Sequence, residues 1–353
     1  MNWTDVLLEA VIVSVVVVSL VSNLLVLLCF VQSSEIRAQV PGVFLLNLSI
    51  SNILTSTVNM PSTLFGIALR GQPFGDAFCR AVSFLETFLT ANAMLSMAAL
   101  GVDRWLAVVF PLSYSSRLQY RDALVVLGCC WLHSVAFSLA ALLMSWGAYS
   151  DTYASCSVCL AGGARSAGGA GEFAVFAAFT VLFHCSTFAL CLVVMCFAYL
   201  KVLRVARLHC RRIDVVTVQT LLLVVDIHPS VKERCLAEQR KRRQRATKKI
   251  CIFIGTFILC FGPHVITRLL ELLPQVSVGR DWGVATRCLS YAKAACDPFV
   301  YSLLRQQFRK VLGGFGNRVL RQDRYLISTS AGRQSSSSYD TSATDDFPIR
   351  MVT

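Results

Sequence analysis

Long apolar segments, separated by shorter polar ones, run through most of the chain. A helix needs about 20 predominantly apolar residues to cross a bilayer. Seven segments reach that length: 7–31, 43–69, 78–110, 123–146, 173–203, 250–273 and 282–304. Backbone polar groups cannot be left unpaired in lipid, so these segments must be helices packed into one bundle. The pattern predicts an all-α membrane protein with a seven-transmembrane helix bundle.

The composition agrees with this class, because 55% of the residues are hydrophobic and only 15% are charged. The net charge of +13 is unevenly placed. Lys and Arg cluster in the loops after the first, third and fifth spans and after the last one, so the positive-inside rule places those segments in the cytoplasm and the N-terminus outside. We expect a multi-pass protein of the cell membrane, whose basic clusters contact anionic membrane lipids and not nucleic acid.

Most of the 15 cysteines fall inside the predicted spans, where a free thiol behaves as a small apolar side chain. Three face the outside instead: Cys79, Cys156 and Cys159. The exterior is oxidising, so one disulfide from Cys79 to either Cys156 or Cys159 is expected, holding the loop after the fourth span over the mouth of the bundle. Their spacing matches no metal site. Asn2 begins a glycosylation sequon, although its closeness to the membrane counts against its use.

The segments around the spans differ in character. Residues 1–6 form a short extracellular N-terminus, 7–304 the bundle, and about 208–245 a long cytoplasmic loop within it. After the last span, apolar residues at helical spacing opposite basic ones predict an amphipathic helix at 305–320, lying on the membrane. The tail, 321–353, is rich in Ser and Thr and is expected to be disordered and open to phosphorylation.

Prolines interrupt some of the spans. Pro61 is expected to bend the second helix, and Gly262 with Pro263 to kink the sixth, because a proline ring removes a backbone donor and clashes with the preceding turn. The fifth span contains no proline and is expected to lead into a basic turn at 201–212. A short amphipathic helix is predicted for 213–227, which is too short for another span.

Three motifs occur in order in these spans: Asp103-Arg104-Trp105, Cys260-Phe261-Gly262-Pro263 and Asp297-Pro298-Phe299-Val300-Tyr301. They look like the Asp-Arg-Tyr, Cys-Trp-x-Pro and Asn-Pro-x-x-Tyr motifs of the class A, rhodopsin-like G-protein-coupled receptors. Further matching positions are Asn23, Cys79, Trp131 and Tyr199. The chain resembles that family across essentially all seven spans, and its overall sequence pattern is most similar to that of a small group of orphan receptors.

The resemblance implies a receptor that activates heterotrimeric G proteins, with no catalytic residues and no cofactor. Receptor kinases and arrestin would act at the phosphorylated tail. The residues implied in coupling and activation are Asp103, Arg104, Trp105, Tyr199, Asp297, Pro298 and Tyr301. The residues implied in the transmission switch between pocket and coupling end are Phe257, Phe261 and Pro263.

One departure from the family concerns its internal sodium site. Asn52 replaces the usual aspartate, and Ala93 replaces the usual serine. Lys293 and Asp297 are four residues apart, hence on one helical face. We expect the Lys293 ammonium, paired with Asp297, to stand where sodium would. The alternative is that Lys293 snorkels through lipid, which is difficult at mid-depth.

A second departure concerns the inner gate. Arg243 occupies the place of a glutamate that often restrains the residue equivalent to Arg104, so the like charges repel. Phe261 replaces the usual tryptophan, and the fifth helix lacks its proline. Together these changes favour a small energy gap between resting and active states. We therefore expect ligand-independent signalling, through Gs and a rise in cAMP.

The outer pocket is expected to be lined by Glu86, Thr90, His264, Arg268, Arg287 and Tyr291. Glu86 lies where amine receptors have their cation-binding aspartate, and Tyr291 where they have the tyrosine that hydrogen-bonds it. This favours a small cation as ligand, which is otherwise unknown. The alternative is that Arg287 neutralises Glu86 internally, since intramembrane acids either bind or pair.

The alternative function class is a multi-pass transporter or channel without G-protein coupling. Many transporters contain two similar halves or pairs of broken helices. The sequence shows no such repeat. Nucleotide exchange on a G protein would separate the two classes.

Overall fold

A computed structural model describes residues 3–71, 75–160, 170–223, 251–300 and 307–314. The chain divides into two units, Met1–Arg305 and Gln306–Thr353. In the first unit we number the long helices α1 to α7 in chain order. Their bounds are α1, Trp3–Gln32; α2, Val40–Leu69; α3, Asp76–Val109; α4, Tyr120–Leu143; α5, which comprises Ala170–His184, Cys185–Ala189 and Leu190–Leu223; α6, Cys251–Leu270; and α7, Arg280–Pro298. In the second unit, residues 307–314 are helical.

Six of these helices, α1 to α6, are long and apolar enough to cross a membrane by the residues that the structure describes. Helix α7 has 19 residues, about the length required, but is less apolar. Its polarity has a structural reason: Arg287, Lys293 and Asp297 are all buried, so their charges face the interior of the protein and not lipid. With α7, the structure agrees with the predicted seven-helix membrane bundle.

Burial differs sharply among the spans and shows how the bundle is arranged. The apolar windows of α2 and α3 are 61% and 56% buried, whereas those of α1 and α4 are 28% and 22% buried. Helix α3 packs against α2, α4 and α5, and α1 packs against α2 and α7. Apolar side chains such as Leu132 on α4 and Val17 on α1 remain exposed, as expected for a surface that contacts lipid. Helix α3 is therefore the central element.

Two spans contain a turn that is wider than an α-helical turn. One lies at Thr55–Asn59 in α2 and the other at Cys185–Ala189 in α5. The first lies directly before Pro61, whose ring would clash with a carbonyl of the preceding turn in a regular helix. Widening that turn makes room for the ring, so the distortion predicted for α2 takes this form. The wide turn in α5 has no proline beside it, and the sequence analysis did not predict it.

The two ends of the bundle are built differently, and we name them by their contents. At the hairpin end, strand β1, Gly147–Ser150, pairs antiparallel with strand β2, Ser155–Val158. The Arg104 end is the opposite one, where α3 ends. It carries two short helices, Ser34–Arg37 and Tyr114–Arg117.

A disulfide joins β2 to the start of α3. It links Cys79 to Cys156, with the two Cα atoms 5.1 Å apart. Cys159 remains a free thiol, and its Sγ lies 3.6 Å from the carbonyl oxygen of Ala148. Of the two pairings left open by the sequence, the one with Cys156 is present, and it ties the hairpin to the central helix.

Other predicted segments compare with the structure as follows. Residues 201–212, expected to be a turn, belong to the uninterrupted helix Leu190–Leu223. That helix also enters the predicted loop at 208–245. Asn2, Arg243, Tyr301 and the tail from residue 315 onward lie outside the described residues. Of the predicted helix at 305–320, the structure describes 307–314.

Candidate functional site

A cavity lies inside the bundle below the hairpin. All six residues predicted for the outer pocket line it: Glu86, Thr90, His264, Arg268, Arg287 and Tyr291. The same cavity is lined by Phe261 and by the four residues predicted for the internal ion site: Asn52, Ala93, Lys293 and Asp297. The two predicted sites therefore open into one space and are not separate.

Glu86 on α3 and Arg287 on α7 form an ion pair across this cavity. One guanidinium nitrogen, Nη1, contacts Glu86 Oε1, and the other, Nη2, donates a hydrogen bond of 2.8 Å to Oε2. Ser155 of β2 accepts hydrogen bonds of 2.6 Å from Nη2 and 3.2 Å from Nε. The Arg287 side chain is only 2% exposed. In this structure Glu86 is thus neutralised from within, the second of the two readings left open by the sequence.

Tyr291 contributes its ring and not its hydroxyl to this pair. The Arg287 guanidinium carbon lies 5.8 Å from the centre of the ring, within the range of a cation–π contact. The hydroxyl shares a hydrogen bond of 2.9 Å with Thr63 on α2. The expected bond to Glu86 is replaced by one that ties α7 to α2.

Arg268 and His264 line the cavity from α6, where they meet Tyr153 of the hairpin turn. Arg268 donates a hydrogen bond of 3.0 Å to Glu271 and another to the carbonyl of Val158. The His264 ring lies edge-on to Tyr153 with the ring centres 5.2 Å apart. Burial raises the pKa of the Tyr153 hydroxyl, so this group stays neutral at physiological pH. These contacts attach the hairpin to α6.

Two glycines allow the hairpin turn to lie against the helices. A Cβ atom at Gly66 on α2 would lie 2.0 Å from the carbonyl oxygen of Ala154, and one at Gly283 on α7 would lie 2.2 Å from that of Thr152. Such distances are far inside van der Waals contact. The turn therefore fills the space between α2 and α7 only because both positions lack a side chain.

A buried polar group, which we call the Lys293 cluster, lies deeper in the bundle and consists of Asn23, Asn52, Lys293 and Asp297. Lys293 pairs with Asp297 along α7. Asn52 donates hydrogen bonds to Asp297 Oδ2 at 3.3 Å and to Asn23 at 3.2 Å. Asn23 in turn donates to the carbonyl of Ala294 at 3.0 Å. The structure thus brings all four together, and Lys293 points inward and not to lipid.

The residues predicted for the transmission switch form a chain of rings between α5 and α6. Phe257 stacks on Phe188 of α5 with the ring centres 5.3 Å apart. Phe261, one turn further along α6, lies edge-on to Phe257 at 5.5 Å. Phe261 lines the cavity, so this chain of rings connects the cavity to the α5–α6 interface. Pro263 follows within the helix that ends at Leu270.

At the Arg104 end, the motif on α3 makes local contacts. Arg104 Nε lies 3.4 Å from Asp103 Oδ2, and the Arg104 side chain is 37% exposed. Tyr114 of the following short helix donates a hydrogen bond of 2.6 Å to Asp103 Oδ1. Trp105 lies edge-on to Phe197 of α5 at 5.7 Å. The Arg104 guanidinium is therefore accessible from this end.

Other motif residues continue the α5–α6 interface toward that end. Tyr199 of α5 packs on Phe253 of α6 with the ring centres 4.6 Å apart. Pro298 is buried within α7, one residue after Asp297.

Three partners of the predicted residues could not be predicted from the sequence. Ser155 caps Arg287, Thr63 bonds Tyr291, and Tyr114 bonds Asp103. Each is a small or common polar residue on a different element from its partner. The Cys79–Cys156 pairing is the one signal that could have pointed to Ser155, because it brings the neighbouring residue of β2 to the bundle.

Comparison with known proteins agrees with this geometry. A family described as 7 transmembrane receptor (rhodopsin family) matches residues 22–301. G-protein coupled receptor 26 of Homo sapiens is 55% identical over 320 residues, which are 91% of this chain and 93% of the relative. G-protein coupled receptor 78 of Homo sapiens is 49% identical over 325 residues, 92% of this chain and 88% of the relative.

A more distant relative is the 5-hydroxytryptamine receptor 4 of Cavia porcellus, 21% identical over 308 residues, 84% of this chain and 76% of the relative. The matching family is one of receptors and not of enzymes. The ordered motifs, the helical bundle and these matches lead to one conclusion. The chain belongs to the rhodopsin family of seven-transmembrane receptors and is a G-protein-coupled receptor.

Proposed function

We propose that this receptor activates heterotrimeric G proteins without requiring a ligand, and that it does so through Gs, raising cAMP. The observation that carries the proposal is the internal pairing of charge in the cavity. Arg287 forms an ion pair with the carboxylate of Glu86, and Lys293 forms one with the carboxylate of Asp297. A receptor whose pocket charges are satisfied by its own side chains does not need a ligand to neutralise them.

The Arg104 end supports the same proposal. Within the described residues, the ionic partner of Arg104 is Asp103, its neighbour on the same helix. An ion pair within one helix does not resist the separation of two helices. If helix α6 moves away from α3, Arg104 lies ready to contact an inserted helix of a G protein, together with Trp105, Tyr199, Asp297, Pro298 and Tyr301.

The membrane orientation belongs to the proposal as well. We place the hairpin end and the N-terminus outside the cell and the Arg104 end and C-terminus in the cytoplasm. The disulfide at the hairpin end fits an oxidising exterior. Arg117, Lys201 and Arg204 lie in or next to elements of the Arg104 end, as the positive-inside rule requires. An epitope tag at the N-terminus should be labelled on intact cells, and one at the C-terminus only after permeabilisation.

The decisive experiment measures basal activation of each G-protein family as receptor expression is increased. We expect output to rise with surface expression, most strongly for Gs and cAMP. Arg104→Ala, compared at equal surface expression, should abolish the rise. A flat response in every family would contradict ligand-independent signalling, and a rise confined to another family would contradict the Gs assignment.

We also propose that the Lys293 ammonium replaces a sodium ion. Asp297 already has Lys293 and Asn52 as partners, and Ala93 offers no oxygen for a cation. The thermal midpoint of the purified receptor should therefore be equal in sodium chloride and choline chloride at the same ionic strength. Lys293→Ser should create a sodium dependence, and Lys201→Ser, at a basic residue outside the cavity, should not. A clear sodium dependence in the unmodified receptor would contradict the proposal.

The tail from residue 321 is proposed as a substrate of receptor kinases and a binding segment for arrestin. Its support is compositional, since Ser and Thr residues lie there beside several aspartates. Phosphopeptide mapping after co-expression with a receptor kinase tests the first step, and arrestin recruitment to a tail with its Ser and Thr replaced by Ala tests the second. Unchanged recruitment would remove this assignment.

A further inference from the structure

We propose that the cavity binds an aromatic zwitterion, a molecule with an ammonium group, a carboxylate and an aromatic side chain on one small skeleton. The proposal rests on the receptor function proposed above and names the ligand class of its pocket. It follows from the way Glu86 and Arg287 neutralise each other inside the cavity.

The Glu86–Arg287 ion pair is enclosed and bidentate. Arg287 Nη1 contacts Glu86 Oε1, Nη2 donates a hydrogen bond to Oε2, and Ser155 accepts two further hydrogen bonds from the guanidinium. The side chains of Arg287 and Glu86 are 2% and 14% exposed. Neither charge could be exposed to solvent instead without moving a helix or the hairpin.

A ligand with a single charge meets a penalty at this pair. An amine that takes the Glu86 carboxylate leaves a buried guanidinium without an anionic partner, in contact with the Ser155 hydroxyl and the rings of Tyr153 and Tyr291. A simple carboxylic acid that takes Arg287 leaves the Glu86 carboxylate unpaired in the same way. Removing one partner of a buried ion pair is strongly unfavourable, because the other charge stays buried without compensation.

A zwitterion avoids this penalty. Its ammonium can take the place of the guanidinium on Glu86 while its carboxylate accepts hydrogen bonds from Arg287. One internal ion pair is then exchanged for two intermolecular ones, and the net charge of the cavity does not change. Bidentate pairing between guanidinium and carboxylate also fixes the orientation of the ligand.

The other charges of the cavity are already committed. Lys293 pairs with Asp297, and Arg268 pairs with Glu271. Among the residues that the structure describes, every charged side chain lining the cavity therefore has an oppositely charged partner. The Glu86–Arg287 pair joins two different helices, whereas the partners in the other two pairs are three or four residues apart in the chain, so it is the pair that a ligand can open by a small helix movement.

The rest of the lining indicates an aromatic side chain. Five phenylalanine and tyrosine side chains line the cavity: Tyr153, Phe179, Phe183, Phe261 and Tyr291. The buried polar atoms of its lining that have no hydrogen-bond partner in the described part of the protein include Ser157 Oγ and His264 Nδ1. A ring that carries its own hydrogen-bonding group, such as an indole or a phenol, can pair with one of these atoms.

The test compares three molecules that share one ring and differ only in charge: L-tryptophan, tryptamine and indole-3-propionate. Each is added to the purified full-length receptor, and the thermal midpoint is measured. We expect L-tryptophan to raise the midpoint and the two singly charged molecules to leave it unchanged. The corresponding sets built on L-tyrosine and L-phenylalanine extend the comparison to other rings.

Variants of Arg287 and Glu86 should change which of the three molecules the receptor responds to. Arg287→Met should weaken the response to L-tryptophan by at least about tenfold in concentration and create a response to tryptamine, since Glu86 is then available. Glu86→Gln should create a response to indole-3-propionate. If either single variant fails to fold, Glu86→Gln with Arg287→Gln removes both charges together and should abolish all three responses. Arg280→Met, outside the cavity, should keep the response of the unmodified receptor.

Two results would overturn the proposal. One is a midpoint shift of the unmodified receptor by tryptamine or indole-3-propionate as large as that by L-tryptophan. The other is the absence of any shift by the three amino acids. Basal nucleotide exchange on a G protein is measured on the same preparations. If exchange persists without any shift, the ligand class is wrong while the proposed signalling function stands; if exchange is absent, the signalling proposal fails by itself.

Discussion

The hairpin end and the Arg104 end of the bundle are held together by different kinds of contact. At the hairpin end, links run between elements: the disulfide joins β2 to α3, and Glu86 joins α3 to α7 through Arg287. Asp5 of α1 likewise pairs with Arg70 and with Arg280. At the Arg104 end, the described charge contact of Arg104 stays within α3.

This difference indicates where the molecule can change shape. Links between helices resist separation, whereas a pair within one helix does not. Contacts between α5 and α6 toward the Arg104 end are between rings, such as Tyr199 on Phe253, and rings can slide over one another without leaving a charge unpaired. We therefore expect motion to be concentrated at the Arg104 end.

The disulfide should contribute most. Replacing Cys156 with Ser releases the hairpin from α3 and should lower the free energy of unfolding by about 2–5 kcal/mol, seen as a lower thermal midpoint and less receptor at the cell surface. Cys159→Ser is the matched control, because that thiol lies in the same segment and is free. Equal losses for the two variants would contradict the proposed role of the disulfide.

The next largest loss of stability is expected for substitutions of the glycines that contact the hairpin turn. Gly283→Ala places a Cβ against the backbone oxygen of Thr152, so the turn must shift, at a cost of about 1–3 kcal/mol. Gly66→Ala should act similarly through Ala154. Gly128→Ala on α4, where a Cβ meets nothing within 4 Å, is the control. A midpoint unchanged in Gly283→Ala and Gly66→Ala would show that the hairpin does not rest on these glycines.

A smaller effect is expected at the other end. Tyr114→Phe removes the hydrogen bond to Asp103 and should cost about 1 kcal/mol, less than either change at the hairpin end. Tyr120→Phe, at a half-exposed tyrosine that begins α4, provides the same chemical change without that bond. If Tyr114→Phe lowered the midpoint more than Cys156→Ser, the proposed contrast between the two ends would be reversed.

The smallest effect concerns the reactivity of one thiol. Burial raises the pKa of Cys159, so its thiolate, the reactive form, appears at higher pH than that of an exposed cysteine. Alkylation of Cys159 by iodoacetamide, followed by mass spectrometry, should need a higher pH in the folded receptor than in the denatured one. Coinciding pH profiles would indicate that the hairpin leaves this thiol open to water.

Much of the fold could be predicted from the order of apolar and polar residues. Membrane spans can be recognised in the sequence because crossing the lipid requires about 20 predominantly apolar residues, and this requirement does not depend on tertiary contacts. The pair of Lys293 with Asp297 was also predictable, since helical spacing alone places residues four apart on one face. Motif order placed Arg104 at one end of α3 and Cys79 at the other.

Contacts between distant segments could not be predicted in the same way. The choice between Cys156 and Cys159 depends on the register of β2 against β1, since Cys156 lies within the paired strand and Cys159 follows its end. The partner of Glu86 could not be predicted, because a cationic ligand and Arg287 were equally reasonable partners. The hydroxyl of Tyr291 bonds Thr63 of α2 and not Glu86 of α3, a choice that depends on how the helices pack and cannot be read from α7 alone.

The wide turn at Thr55–Asn59 sets the rotational phase of everything that follows it in α2. Successive residues of an α-helix are offset by about 100° around its axis, so the same residues wound as a regular α-helix, without the wide turn, would rotate Thr63 and Gly66 together away from their partners. Tyr291 would lose its hydrogen bond, and a side chain would replace the bare backbone beneath Ala154. In this helix, the form of one turn therefore decides which side chains meet α7 and the hairpin.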